Sequence, residues 1–134
     1  MPVELRSNDT VLRTSALANS GYEADEPEVR IPVALAKKLG FKLEGLKEEK
    51  YGVVGAEVTT YILGDVVLRV KTGDRESSWI RARAVTVPGE HEVILSDVLM
   101  EKMEIEILKP KTGLWRFSGE KIARESEKAM YWLE

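Results

Sequence analysis

The chain has no cysteine and no glutamine, a single histidine, His91, and only two asparagines, Asn8 and Asn19. Without cysteine there are no disulfides, no thiolate metal ligands and no cysteine nucleophile. One imidazole argues against a histidine metal site, and against any catalytic triad that needs a second well-placed ring. No run approaches the roughly 18 uninterrupted apolar residues of a membrane-crossing helix. The opening Met1-Pro2-Val3-Glu4-Leu5-Arg6 lacks the charged and apolar regions of a signal peptide. A cytoplasmic protein with no membrane partner is therefore expected. An excess of one charge is also missing: 20 basic and 23 acidic residues are interspersed for a net charge of -3. That balance offers no electrostatic footprint for nucleic acid. No metal and no cofactor are expected.

What is present suits one soluble domain. Hydrophobic residues make up 43% of 134, enough for a core without metals or disulfides. High charge (32%) with few thermolabile amides is a pattern of proteins from hot environments. A chain so poor in amides nevertheless carries one in the turn Asn19-Ser20-Gly21, after the small apolar run Thr14 to Ala18.

The N-terminal third reads as a hairpin and a helix. Val3 and Leu5 alternate with Glu4 and Arg6, Asn8-Asp9 marks a turn, and Leu12, Thr14, Ala16 and Ala18 share one face of a second strand. Gly21 is free to take a positive φ in the turn that follows. Tyr22 to Glu28 is acidic, contains Pro27 and suits a surface loop. Pro32 to Leu39 reads as a helix, with Pro32 at its first position, lysines in its last turn and Gly40 just beyond.

The middle is β. Tyr51 to Leu63 is rich in Val, Thr and Tyr, Gly64-Asp65 reads as a turn, and Val66 to Lys71 and Ile80 to Ala84 alternate as strands. Arg81 and Arg83 share a strand face that could bind anions, although a solvent-facing sheet edge is the plainer reading. After Pro88-Gly89 comes the triplet Val93-Ile94-Leu95, and Ser96-Asp97 offers an N-cap for a helix to Met103. Ile105 and Ile107 mark a returning strand, and Pro110 to Gly113 turns into Leu114 to Phe117. From Gly119 to Glu134, Ile122, Ala129, Met130 and Leu133 can share a helical face, so residues 119–134 read as a C-terminal helical extension to a domain of residues 1–118.

Three elements in this order carry a resemblance: Ala16-Leu17-Ala18-Asn19-Ser20-Gly21; Ile31-Pro32-Val33-Ala34-Leu35-Ala36-Lys37-Lys38-Leu39-Gly40; and Val93-Ile94-Leu95-Ser96 with its helix. They resemble the retropepsin-like aspartic proteases, especially the single-domain archaeal and prokaryotic ones, over about residues 3 to 117. The resemblance implies a mainly β, partly closed barrel with short helices near 32–39 and 97–103, plus the added C-terminal helix. It implies a homodimer that holds a peptide or protein substrate, with a catalytic loop at Asn19, Ser20 and Gly21. It also implies a hairpin flap at Gly52, Val53, Val54 and Gly55, a stretch whose plainer reading is a bend in a β-rich segment. Ser20 would brace the partner's loop.

Two positions depart from the family. Ser96 stands where its late motif usually has Gly, and Asn19 stands where it has the catalytic Asp. Aspartic peptidases work because two carboxylates share one proton, one activating water while the other protonates the scissile carbonyl. Asn matches Asp in size and hydrogen bonding but neither takes nor gives a proton. Peptidase activity near background is therefore expected. A natural pseudoprotease, an engineered silencing change and deamidation to Asp remain as accounts of Asn19. A non-catalytic peptide-binding or dimerisation module is the alternative function. The acidic residues Glu23, Asp25, Glu26 and Glu28 could supply a replacement carboxylate or a cation site, but such a run is more often a solvated surface.

Overall fold

In the computed structural model, which describes residues 1–19, 21–53 and 56–133, a hairpin opens the fold. Strands β1 (Pro2–Ser7) and β2 (Thr10–Ala18) pair antiparallel around Asn8-Asp9, with Asn8 at φ +52°. The short β3 (Glu28–Arg30) leads into α1 (Val33–Lys38). Pro32 is the N-cap of α1, one position outside its expected place, and Gly40 follows the helix at φ +89°. Strands β4 (Lys47–Val53) and β5 (Ala56–Val70) form a long hairpin, followed by β6 (Ile80–Thr86) and β7 (Val93–Leu95). Helix α2 (Asp97–Lys102), β8 (Ile105–Lys109), β9 (Leu114–Phe117) and β10 (Arg124–Glu125) complete the chain.

The main sheet runs β1-β2-β7-β3-β6-β5-β4. Because β1 also pairs with β5, from Val3 opposite Val70 to Arg6 opposite Val67, six strands close into a barrel and β4 lies outside the ring. The barrel is thus closed rather than partly closed. Closure pairs the β1 edge that an open arrangement would expose and leaves β4 at the margin of the sheet. Val3, Leu5, Leu68 and Val70 are fully buried inside with Val29, Leu35, Leu95 and Leu99. Along β2, Thr14 and Ala16 are buried on their shared face, Ser15 breaks the alternation by being buried between them, and Leu17 on the other face is 44% exposed.

Two expectations are corrected. Gly64-Asp65 is not a turn, because β5 runs through it. The register against β6 shifts between Ile62 and Gly64, and Gly64 sits at φ +140°: the glycine makes a bulge, which bends a strand without ending it. The C-terminal helix is also absent, for among the described residues 119–133 none is helical. β10 pairs with β9 and the remainder is an extended strap. Its backbone hydrogen bonds go outward: Ser126 N–H to the Gly113 carbonyl (2.8 Å), Met130 N–H to Ser15 Oγ (2.7 Å) and Trp132 N–H to the His91 carbonyl (2.7 Å). The apolar spacing misled because Ile122, Met130 and Leu133 are 73%, 46% and 70% exposed. The anchor is instead Trp132, which packs on the core and donates from Nε1 to Thr14 Oγ1 at 2.8 Å.

Candidate functional site

The site begins where β2 ends. β2 runs parallel to β7, with Ala16, Leu17 and Ala18 opposite Val93, Ile94 and Leu95, so the Asn19 turn and Ser96 leave the barrel side by side. Asn19 Oδ1 accepts from the Gly21 N–H at 2.9 Å and its carbonyl accepts from the Tyr22 N–H at 3.0 Å. This side-chain-closed turn is what a short amide or carboxylate favours. Gly21 stands directly against the Asn19 side chain. A Cβ there would lie 3.2 Å from Asn19 Oδ1, so the glycine serves the close approach of the Asn19 side chain.

Ser96, fully buried, ties the loop to the helix behind it. Its Oγ accepts from the Glu28 N–H (3.1 Å) and caps α2 by accepting from the Leu99 N–H (3.3 Å). Its own N–H donates to the Glu28 carbonyl (3.1 Å). Asp97 continues the lacing: its N–H donates to the Tyr22 carbonyl (2.9 Å), and its Oδ1 accepts from the Ala24 N–H (3.1 Å).

Glu28 overturns the surface reading of the acidic loop at its last position. It belongs to β3 and is 3% exposed. Arg83 donates to Glu28 Oε1 from Nε (2.9 Å) and Nη2 (2.6 Å), and the Tyr22 hydroxyl donates to Oε2. Arg83 also reaches Glu49 on β4 at 3.2 Å. Burial disfavours the Arg83 charge, but the hydrogen bonds to Glu28 and Glu49 outweigh it and hold the guanidinium above its ordinary value. Arg83 is thus a partly buried ion-pair partner, whereas Arg81 is exposed and meets Asp65 at the surface. With both oxygens engaged, Glu28 is not a free carboxylate.

Asn19, Gly21, Tyr22, Glu23, Glu28, Arg30 and Thr60 line one cavity of about 260 Å³. A wider, acid-lined cavity of about 760 Å³ adjoins it, bounded by Glu23, Asp25, Glu26, Glu49 and Asp97 around Arg83. Among the described residues, no group of three or more His, Asp or Glu side chains is placed to hold a metal ion.

Of the expected site residues, Asn19 and Gly21 share the cavity, and Ser20 lies outside the described residues. Gly52 and Val53 end β4, paired with Glu57 and Ala56 across the hairpin, while Val54 and Gly55 lie outside the described residues. The long hairpin does supply Thr60 to the Asn19 cavity. Sequence reasoning missed Tyr22, Arg30, Thr60 and the Glu28–Arg83 pair. Only one signal pointed to them: in β3, charged Glu28 and Arg30 flank the apolar Val29 within a short strand.

The chain matches no protein-family model, and no curated protein matches it.

Proposed function

We propose that this chain is a retropepsin-like aspartic peptidase homologue. It forms a homodimer that holds an extended peptide at the Asn19 turn, and it is catalytically silent because Asn19 replaces the proton-sharing Asp. The observation that carries the reading is the parallel pairing of β2 with β7. That pairing sets a side-chain-closed Asn-Ser-Gly turn beside the capped start of α2, in a closed barrel with a long hairpin.

Self-association is supported by apolar side chains left uncovered on the β2 and strap flank: Leu17 at 44%, Met130 at 46%, Tyr131 at 63% and Leu133 at 70% exposure. A peptide between floor and hairpin would bind largely through its main chain, as in strand addition. In the symmetric dimer Asn19 occurs twice, so neither general acid nor general base is present.

The test is Asn19→Asp. Peptidase activity that pepstatin inhibits is expected in the variant and not in the parent chain. No activity in a folded, dimeric variant would leave a peptide-binding module without a competent catalytic frame. Pepstatin-sensitive activity in the parent would contradict the silent-site reading.

A further inference from the structure

We propose that Arg30 and Thr60 form a subsite for an acidic side chain, Asp or Glu, of the peptide held at the Asn19 turn. The proposal rests on the peptide-site reading above and specifies its substrate class.

Arg30 lies on β3 and Thr60 on β5, and both line the 260 Å³ cavity that contains Asn19. Thr60 is 1% exposed, yet its Oγ1 has no hydrogen-bond partner. The Arg30 side chain is 23% exposed, and its Nε is buried and equally unpartnered. Two buried polar groups without partners in one cavity call for an explanation, because such groups are normally satisfied. The Arg30 charge is only loosely compensated. Its Nη1 is 3.8 Å from a Glu90 carboxylate that is itself 40% exposed. The guanidinium stacks over the Tyr22 ring at 4.9 Å. The stack holds the guanidinium against the Tyr22 ring while its buried Nε–H stays without a partner.

The chemistry these groups complement is a carboxylate. A guanidinium offers Nε–H and a terminal N–H as a parallel pair that matches two carboxylate oxygens, and the threonine hydroxyl can donate a third bond. Glu28 lines the same cavity, but its charge is met by Arg83. Glu23 is exposed. The cavity falls below the roughly 300 Å³ at which whole-ligand pockets begin. It is therefore a subsite for part of a ligand bound alongside rather than a pocket for a whole ligand. Its continuity with Asn19 and Gly21 makes that ligand the peptide on the turn.

The test uses the parent chain and three blocked peptides, acetyl-Ala-Val-Xaa-Val-Ala-amide with Xaa as Glu, Gln or Lys. Each is titrated while the amide resonances and the arginine Nε–H resonances are followed by NMR. The Glu peptide is expected to shift Thr60 and the Arg30 Nε–H and to bind at least about tenfold tighter than the Gln or Lys peptide. Arg30→Met should abolish that preference, Arg30→Lys should keep part of it because the charge survives without the fork, and Thr60→Val should weaken it. The amide shifts of Asn19 and Gly21 should persist in all three variants. Equal response to Glu and Gln, or a preference that survives Arg30→Met, overturns the subsite. Free glutarate shifting Arg30 as strongly as the Glu peptide overturns its assignment to a peptide. If all three peptides shift the Asn19 turn and none shifts Arg30, the subsite alone fails. If none shifts the turn, the peptide-site reading fails and the subsite with it.

Discussion

Ser96 Oγ accepts a hydrogen bond from the Glu28 N–H at 3.1 Å, and through it the helix behind the candidate site is fastened to the strand that lines it. The same oxygen caps α2. One hydroxyl therefore satisfies two backbone donors in a fully buried position. A glycine here, as the resembled family usually has, offers neither bond. Serine is thus a gain of fastening rather than a mere tolerated packing change.

Ser96→Ala is expected to destabilise the fold by about 2 kcal/mol. The change removes an N-cap and leaves a buried N–H without a partner. For a domain of this size the loss corresponds to roughly 8 °C in Tm. Urea denaturation of the two proteins measures it, and a loss below about 0.5 kcal/mol would show that water or a shifted backbone replaces the hydroxyl.

Arg83→Leu leaves the Glu28 carboxylate buried with only the Tyr22 hydroxyl. Breaking a buried pair from one side typically costs about 3 kcal/mol or more. Arg83 is 25% exposed, so about 2 kcal/mol is expected here. Replacing both partners with leucine should recover most of the loss, since no buried charge is left without its partner and the Glu49 side chain is 38% exposed to water. A double variant as unstable as the single one would mean that packing, not charge, dominates this position.

Acid should loosen the C-terminal sheet at a definable pH. Arg124 hydrogen-bonds the Glu120 carboxylate, the Phe117 N–H and Arg75 add to it, and together they outweigh partial burial and hold Glu120 down to about 2 from its ordinary 4.5. A carboxylate depressed in the folded state contributes stability that is present above its unfolded pKa and lost as pH falls through its folded one. The contribution is therefore complete above about 4.5 and disappears between there and about 2. Arg124 and Arg75 also stack over Phe117 at 5.2 and 4.5 Å, so the sheet should loosen around that ring. Glu120→Gln should flatten the fall in Tm across that window. An unchanged acid profile in the variant would place the sensitivity elsewhere.

Gly21→Ala tests the reason for the glycine. The added Cβ would crowd Asn19 Oδ1 at 3.2 Å, and a side-chain oxygen can move aside. Stability is expected to fall by less than about 1 kcal/mol. In an Asn19→Asp background, however, the displaced carboxylate should lose most of its activity, because a small misplacement at a reacting group is costly. Full activity would show that the close approach is incidental.

Much of the barrel was legible because its signals are local. The alternation of Val3 and Leu5, the turn at Asn8-Asp9, Gly40 after α1 and the Ser96 cap each follow from a few neighbouring residues. What was not legible depended on distant partners. Gly64 reads as a turn locally and becomes a bulge only because β6 continues to pair on both sides of it. The strap reads as a helix by spacing, but Ser15, Gly113 and His91 supply the hydrogen bonds that hold it extended. Glu28 sits in an acidic run that looks solvated, and Arg83, 55 residues away, makes its burial tolerable. The Asn19 turn itself was visible. The side chains around it, Arg30 and Thr60 among them, come together only once the barrel closes.

The central claim is that two Asn19 turns face each other across a two-fold axis, and the lack of cysteine makes it directly measurable. Asn19→Cys introduces the only thiol in each protomer. Asp9→Cys is the control, at the opposite end of the nine-residue β2 and so about 30 Å away along the strand. With a short thiol-to-thiol crosslinker at low protein concentration, the account predicts rapid conversion of the Asn19→Cys protein to a covalent dimer and none for the Asp9→Cys protein. An Asn19→Cys protein that stays uncrosslinked while running as a dimer, or that crosslinks no faster than the control, would contradict it.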